Sequence, residues 1–348
     1  MATIKGRQIV LAARPQGTPR PTDFRLEDVT LREPGEGEVL LATEYLSLDP
    51  YMRGRMDDRK SYSPSTPIDG VMEGEVVARV EQSRDPRYRA GDRVAARLGW
   101  CTHAVSNGSG LTLLDERFTP ITTALGVLGM PGLTAYGGLL TIGKPKPGET
   151  VVVAAASGPV GSLVGQIAKI KGARAIGIAG GTAKCAYLKD ELRFDAAIDH
   201  RLPGFAEDLA AACPNGIDVY FELVGGAVWQ AVLPLLNEHA RVPICGLVAQ
   251  YNGLESGDRP DRLPAMIGEI LSRSLMLRGF IFREFWDQRP AFLHEVGAWI
   301  SKGHVHFRED IVQGFANAPN AFIGLLKGSN FGKLIVEVER PDRERRGG

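Results

Sequence analysis

The chain has no apolar run long enough to cross a bilayer. Its first residues, MATIKGRQIVLAARPQG, lack the long apolar core and small-residue cleavage site of a secretory signal. Neither sign of charge is in excess: 41 Lys and Arg balance 41 Asp and Glu, which disfavours nucleic acid or a strongly anionic surface as partner. Cysteine is scarce, and Cys101, Cys185, Cys213 and Cys245 are scattered without pairing spacing, as suits a reducing cytoplasm. Before Val76 there is neither His nor Cys, so that stretch supplies no soft metal ligand. Cys101 with His103, and His304 with His306, are isolated pairs, and two ligands do not make a metal site. Internal repeats and low-complexity blocks are also lacking; only the tail Glu339–Gly348 reads as frayed.

What is present is globular. A chain of 348 residues, 44% hydrophobic and 24% charged, is too long for a typical single core, so two domains are expected. Val151–Gly165 reads VVVAAASGPVGSLVG. Three β-branched residues in a row suit a strand covered on both faces. Ala156-Ser157-Gly158-Pro159-Val160-Gly161 then follows the A/G-x-G-x-x-G spacing, and Leu163, Val164, Ile167, Ala168 and Ile170 give an apolar helix. Gly158 lets a pyrophosphate approach the backbone, Gly161 lets helix and strand pack closely, and the helix N-terminus offers free N–H groups to phosphates. It reads as a dinucleotide-binding turn, the alternative being an ordinary tight βα turn.

The next strand selects the dinucleotide by another absence. Ala175–Ala179 ends in Gly180-Gly181, with no Asp or Glu to accept from a ribose 2′-OH. Two glycines leave room for a 2′-phosphate, and Lys184 stands on the following turn to neutralise it. NADP(H) is expected over NAD(H).

The first 124 residues are β-rich, with short runs at Gln8–Leu11, Glu38–Glu44, Gly74–Val80 and Arg93–Ala96 divided by Pro and Gly. From Leu125 strands alternate with helical stretches, a rhythm that implies a parallel sheet with helices on both faces. The end of the chain breaks that rhythm: Arg289–Lys302 looks helical, His304–Arg308 extended, Ala318–Leu326 helical and Lys333–Val338 a strand. The expected architecture is α/β. A Rossmann domain, a doubly wound parallel sheet spanning 125–291, is inserted in a β-rich catalytic domain formed by 1–124 and 292–348. Ligands are expected at the carboxyl ends of the parallel strands, in the cleft between the domains.

Five motifs now carry a resemblance: Ser47-Leu48-Asp49-Pro50-Tyr51-Met52-Arg53-Gly54, Gly126 through Tyr136, the glycine turn, Cys245-Gly246 through Tyr251-Asn252, and Asn330-Phe331-Gly332-Lys333. Along nearly its whole length the chain resembles the zinc-free branch of the medium-chain dehydrogenase/reductase superfamily. That branch is the leukotriene hydroxydehydrogenase/prostaglandin reductase type, which includes 2-alkenal double-bond reductases and curcumin-reductase-like enzymes. The resemblance implies a GroES-like catalytic domain, a homodimer, and NADPH-dependent saturation of the C=C bond of α,β-unsaturated aldehydes and ketones. It implies a cofactor pocket of Gly158, Pro159, Val160, Gly161, Lys184, a segment from Cys245 to Tyr251, and Asn330, to which the strand-end reading adds Gly180. Where the branch has a tyrosine that touches the 2′-phosphate, this chain has His200, which makes binding more pH-sensitive. Leu223 replaces an amide near the nicotinamide, and Arg193 replaces a helix-capping glycine.

Hydride transfer to an enone depends on positioning, on a donor aimed at the oxygen that becomes an enolate, and on a proton for the α-carbon. A neutral phenol suits the donor role at pH 7. Tyr251 is the candidate enolate donor or proton source, the alternative being a ring that packs on the nicotinamide. Tyr51 is expected to shape the substrate side, or else to be a buried turn aromatic. A quinone reductase of the same fold, a zinc-type alcohol dehydrogenase lacking its ligands, and a non-catalytic NADPH-binding protein remain alternatives.

Overall fold

The structure, a computed structural model, describes residues 3–253 and 262–338; the tail Glu339–Gly348 lies outside them. In chain order the first elements are β1 (Ile4–Leu11), β2 (Phe24–Leu31), β3 (Val39–Ser47), the single turn α1 (Met52–Arg55), β4 (Val76–Ser83), β5 (Arg93–Ala96), β6 (His103–Ser106) and β7 (Thr112–Leu113). There follow α2 (Met130–Gly137), β8 (Thr150–Val153), α3 (Pro159–Ile170), β9 (Arg174–Ala179), α4 (Thr182–Asp190), β10 (Ala196–Asp199), α5 (Phe205–Ala212) and β11 (Ile217–Phe221). The remainder comprises α6 (Gly226–Val232), β12 (Leu236–Ile244), α7 (Leu263–Ser272), β13 (Met276–Gly279), α8 (Arg289–Ser301), β14 (Glu309–Gln313), α9 (Ala318–Leu326) and β15 (Lys333–Glu337). No helix among the described residues is long and apolar enough to cross a membrane.

The chain divides into two units, residues up to Leu125 with those from Glu309 onward, and Gly126–Arg308. The second boundary thus lies at Arg308 and not at residue 292. Helix α8 stays with the second unit because Phe292, 1% exposed, packs edge-on to Tyr136 with ring centroids 5.7 Å apart. The same ring lies against Gly132, where a Cβ would come within 2.8 Å of it.

The second unit is a six-stranded sheet in the order β10-β9-β8-β11-β12-β13, parallel throughout. This is the expected doubly wound arrangement, and its strand order reverses between β8 and β11, where such sheets take their ligands. Val151, Val152 and Val153 are fully buried, which accounts for an unbroken apolar run in place of alternation. Leu188 and Phe194 cover Gly177 of β9, and the Phe194 ring also occupies the space beside Gly165 of α3.

In the first unit β1 and β2 form an antiparallel pair, and a seven-stranded sheet runs β14-β15-β3-β4-β5-β7 with β6 also on β3. The last strand returns to an early one, Ile335 opposite Ser47. Phe24 stacks on Trp100 with centroids 5.7 Å apart, and Phe322 of α9 meets Trp100 edge-on at 5.8 Å. The expected extended run His304–Arg308 is not a strand. The buried Gln166 side chain takes up the His306 backbone there, accepting from its N–H at 2.7 Å and donating to its carbonyl at 2.9 Å. Pairing begins only at Glu309.

Candidate functional site

The glycine turn sits at the carboxyl end of β8. Ala155 adopts φ 47, a left-handed conformation that an alanine holds at some cost, and Ala156 is fully buried with its N–H on the Ile178 carbonyl at 3.0 Å. Gly158 precedes α3, and Pro159 and Val160 open the helix, Pro159 having no N–H to leave unpaired. A Cβ on Gly161 would lie 2.6 Å from the Ala155 carbonyl oxygen and 2.8 Å from the Ala156 Cα, backbone atoms that cannot give way. The first turn of α3 therefore seats against the turn with no side chain between, and the N–H groups of a helix start face outward, as a phosphate requires.

At the end of β9 several charged groups converge. Gly181 has φ 97 and leads into α4, whose first turn carries Lys184. β10 ends at Asp199, whose Oδ1 accepts from the Gly181 N–H at 2.9 Å and the Arg201 N–H at 3.0 Å, while the His200 N–H bonds the Ala179 carbonyl. A Cβ on Gly180 would stand 2.7 Å from Arg201 Nε and 2.9 Å from His200 Nε2. Burial holds the His200 imidazole below the usual histidine range; the Arg201 charge, and more weakly that of Lys184, push the same way against Asp199. Gly180, Lys184 and His200 are thus brought together. Arg201 is the addition that sequence reasoning missed, since nothing in the string says its side chain folds back over Gly180.

Two further loops of this unit are stitched together by backbone. Glu222, 2% exposed, accepts from the Val224 N–H at 2.7 Å, the Gly225 N–H at 2.8 Å and the Tyr220 hydroxyl at 3.1 Å. Burial nevertheless raises its carboxyl pKa. Its carbonyl accepts from the N–H groups of Cys245 and Gly246, and the Leu223 carbonyl from that of Val248. Tyr251 follows the short turn Val248–Gln250, and its hydroxyl sits 3.2 Å from where a Gly246 Cβ would be. Leu223 is buried, so an apolar side chain fills the place of an amide. Burial pushes the Cys245 thiol up to about 12.

The remaining expected residues belong to the first unit. Tyr51 precedes α1; burial, with the Asp49 and Glu73 carboxylates, holds its phenol well above the ordinary tyrosine range, Arg97 opposing. It is therefore neutral at any working pH. The loop before it is fixed by Lys333, 2% exposed, whose Nζ donates to the Leu48 carbonyl and to Asp49 Oδ1, each at 2.8 Å. Ser47 donates to the other Asp49 oxygen. The motifs beginning at Ser47 and at Asn330 are thus two halves of one buried ion pair. The Asn330 amide donates to the Gly332 carbonyl at 2.8 Å and closes the turn, Gly332 having φ 90. No group of three His, Cys, Asp or Glu among the described residues is placed to hold a metal ion.

Residues 7–114 match the family described as the N-terminal domain of oxidoreductase, and residues 159–297 that described as zinc-binding dehydrogenase. The NADPH-dependent curcumin reductase of Escherichia coli (strain K12) is 52% identical over 339 residues, covering 97% of this chain and 98% of the relative. Prostaglandin reductase 1 of Mus musculus is 42% identical over 328 residues, 93% of this chain and 96% of the relative. Among solved structures, CurA from Vibrio vulnificus in complex with NADPH superposes with a TM-score of 0.93 at 50% identity, over 96% of this chain and 100% of that one.

Proposed function

The chain belongs to the medium-chain dehydrogenase/reductase family, within its group of curcumin, prostaglandin and alkenal reductases, and from that premise we propose that it uses NADPH to saturate the C=C bond of α,β-unsaturated ketones and aldehydes. The observation that carries this reading is a turn stripped of side chains at Gly158 and Gly161 next to a strand end at Gly180, where the Lys184 and Arg201 charges gather with the His200 imidazole. The two features together fit a pyrophosphate and a 2′-phosphate. NADPH, when bound, supplies the hydride. The chain supplies the rest: the α3 N-terminus holds the pyrophosphate, the 245–251 loop packs beside the nicotinamide, and Asn330 takes part in cofactor binding.

Tyr251 donates its hydroxyl to the carbonyl oxygen of the substrate as negative charge develops there, and Tyr51 shapes the substrate side. Both are phenols, and a phenol donates at neutral pH without first having to be protonated. A homodimer forms along the outer edge of β13, which pairs only with β12 among the described residues. Met276 on that strand is exposed, as are Leu263, Ile267 and Leu271 on α7, the helix that precedes it in the chain.

The test supplies NADPH with a 2-alkenal, an alkenone, a quinone and an alcohol in parallel and identifies each product. A saturated aldehyde or ketone with its carbonyl intact is expected. An allylic alcohol would mean hydride goes to the carbonyl carbon and would sink the reading, as would turnover restricted to the quinone. Tyr251→Phe should lower turnover roughly 10- to 1,000-fold with little change in NADPH affinity.

A further inference from the structure

We propose that Arg201 binds the 2′-phosphate of the cofactor and, with Lys184, sets the preference for NADPH over NADH; this rests on the NADPH reading above. Arg201 follows β10 on an exposed turn, yet its guanidinium lies back across Gly180 and fills the space that any side chain at that position would need. Dehydrogenases that use NAD place an Asp or Glu at this strand end. Arg201 therefore acts twice against NADH, by occupying the volume of that acid and by putting a positive charge in its place.

The guanidinium makes no hydrogen bond or ion pair among the described residues. Asp199 is the near acid, but its Oδ1 is occupied by the Gly181 and Arg201 N–H groups and fixes the turn. Arg201 is thus positioned by its own backbone, with its side-chain donors unused. A planar guanidinium offers a phosphate two parallel N–H bonds, a geometry that the point charge of Lys184 cannot supply. Lys184 approaches from the first turn of α4, where the helix dipole also favours an anion. His200 Nε2 lies against the same Gly180 position as Arg201 Nε. Two cations from separate elements, Lys184 on α4 and Arg201 after β10, make a fork for a dianion.

The experiment titrates the whole protein by calorimetry with NADP+, NAD+, 2′-AMP and 5′-AMP, so that binding is read without turnover. Arg201→Ala should weaken NADP+ and 2′-AMP by about 10- to 100-fold and leave NAD+ and 5′-AMP within about twofold. Arg201→Lys, which keeps the charge and loses the fork, should fall between. Gly180→Asp should displace the guanidinium and bring NAD+ affinity up to or above that for NADP+. A wild type that prefers NADP+ with an unchanged or uniformly weakened Arg201→Ala variant would overturn the role of Arg201 alone. A wild type indifferent to the 2′-phosphate would overturn the NADPH reading and this inference with it.

Discussion

The two units build their functional loops by opposite means. In the second unit room is made by leaving side chains out: Gly158 and Gly161 bare the turn before α3, and Gly180 admits Arg201. In the first unit the loop bearing Tyr51 is held by charge taken out of water, with Lys333 and Asp49 closing one buried pair and the Ser47 hydroxyl on the free oxygen. The contrast sets what each can tolerate. One should fail when volume is added, and the other when a charge is removed.

The strongest way to break this comparison is Lys333→Met. It leaves Asp49 buried without its cation, and a loss of about 3–5 kcal/mol is expected in urea unfolding. Asp49→Leu added to it should recover most of that loss, because two apolar groups need no partner. A single-variant loss under about 1 kcal/mol would show that the pair is incidental.

Adding volume is the next test. Gly161→Ala forces a Cβ against the Ala155 carbonyl and should cost about 1–3 kcal/mol, with NADPH affinity reduced as the start of α3 shifts. Gly54→Ala is the control, since a Cβ there meets nothing within 4 Å. Equal losses at the two positions would remove the argument from space.

His200 sharpens the comparison, because it brings titration to a site otherwise built from permanent charges. Its imidazole lies below the usual range through burial, then Arg201 and Lys184, with Asp199 opposing. A bound dianion favours the protonated ring, so NADPH affinity relative to NADH should rise as pH falls below about 6.5. The phosphate itself takes up a proton near pH ~6 and works the other way. His200→Tyr removes only the histidine contribution. Fluorescence titration from pH 5.5 to 8 should therefore show a severalfold difference between wild type and variant at the acid end, and parallel curves would deny His200 any contact.

The smallest effect is expected at Arg193, which holds φ 60 after α4. Arg193→Gly relieves about 1–2 kcal/mol of left-handed strain and loses part of that to the greater freedom of the unfolded chain. A net gain of roughly 0.5–1 kcal/mol in thermal unfolding would confirm that the arginine simply adopts the capping conformation a glycine would take. A loss would mean its side chain does something more.

Legibility in the sequence followed burial. The parallel strands β8 and β9 stood out because both faces are covered, and α9 ran Ala318–Leu326 as its pattern indicated. β2 escaped notice because FRLEDVTL is largely exposed and carries no apolar face to count. His304–Arg308 misled because the Gln166 side chain, remote in the chain, engages the backbone that would otherwise pair. Candidate site residues could be named where a local spacing marks them, as in the glycine turn. The fold of Arg201 over Gly180, and the joining of Lys333 to Asp49, are made in three dimensions and leave no periodicity behind.

That last pairing also imposes an order on synthesis. Lys333 and Asp49 are separated by 284 positions in the chain, and β15 is the strand that completes β3. At about 5–20 residues per second, a ribosome makes Lys333 roughly 15–60 s after Asp49. Throughout that interval the carboxylate lacks its native partner Lys333, whereas the six parallel strands between them are complete once β13 has emerged. The nucleotide-binding half can therefore be in place on the nascent chain before the other half can close.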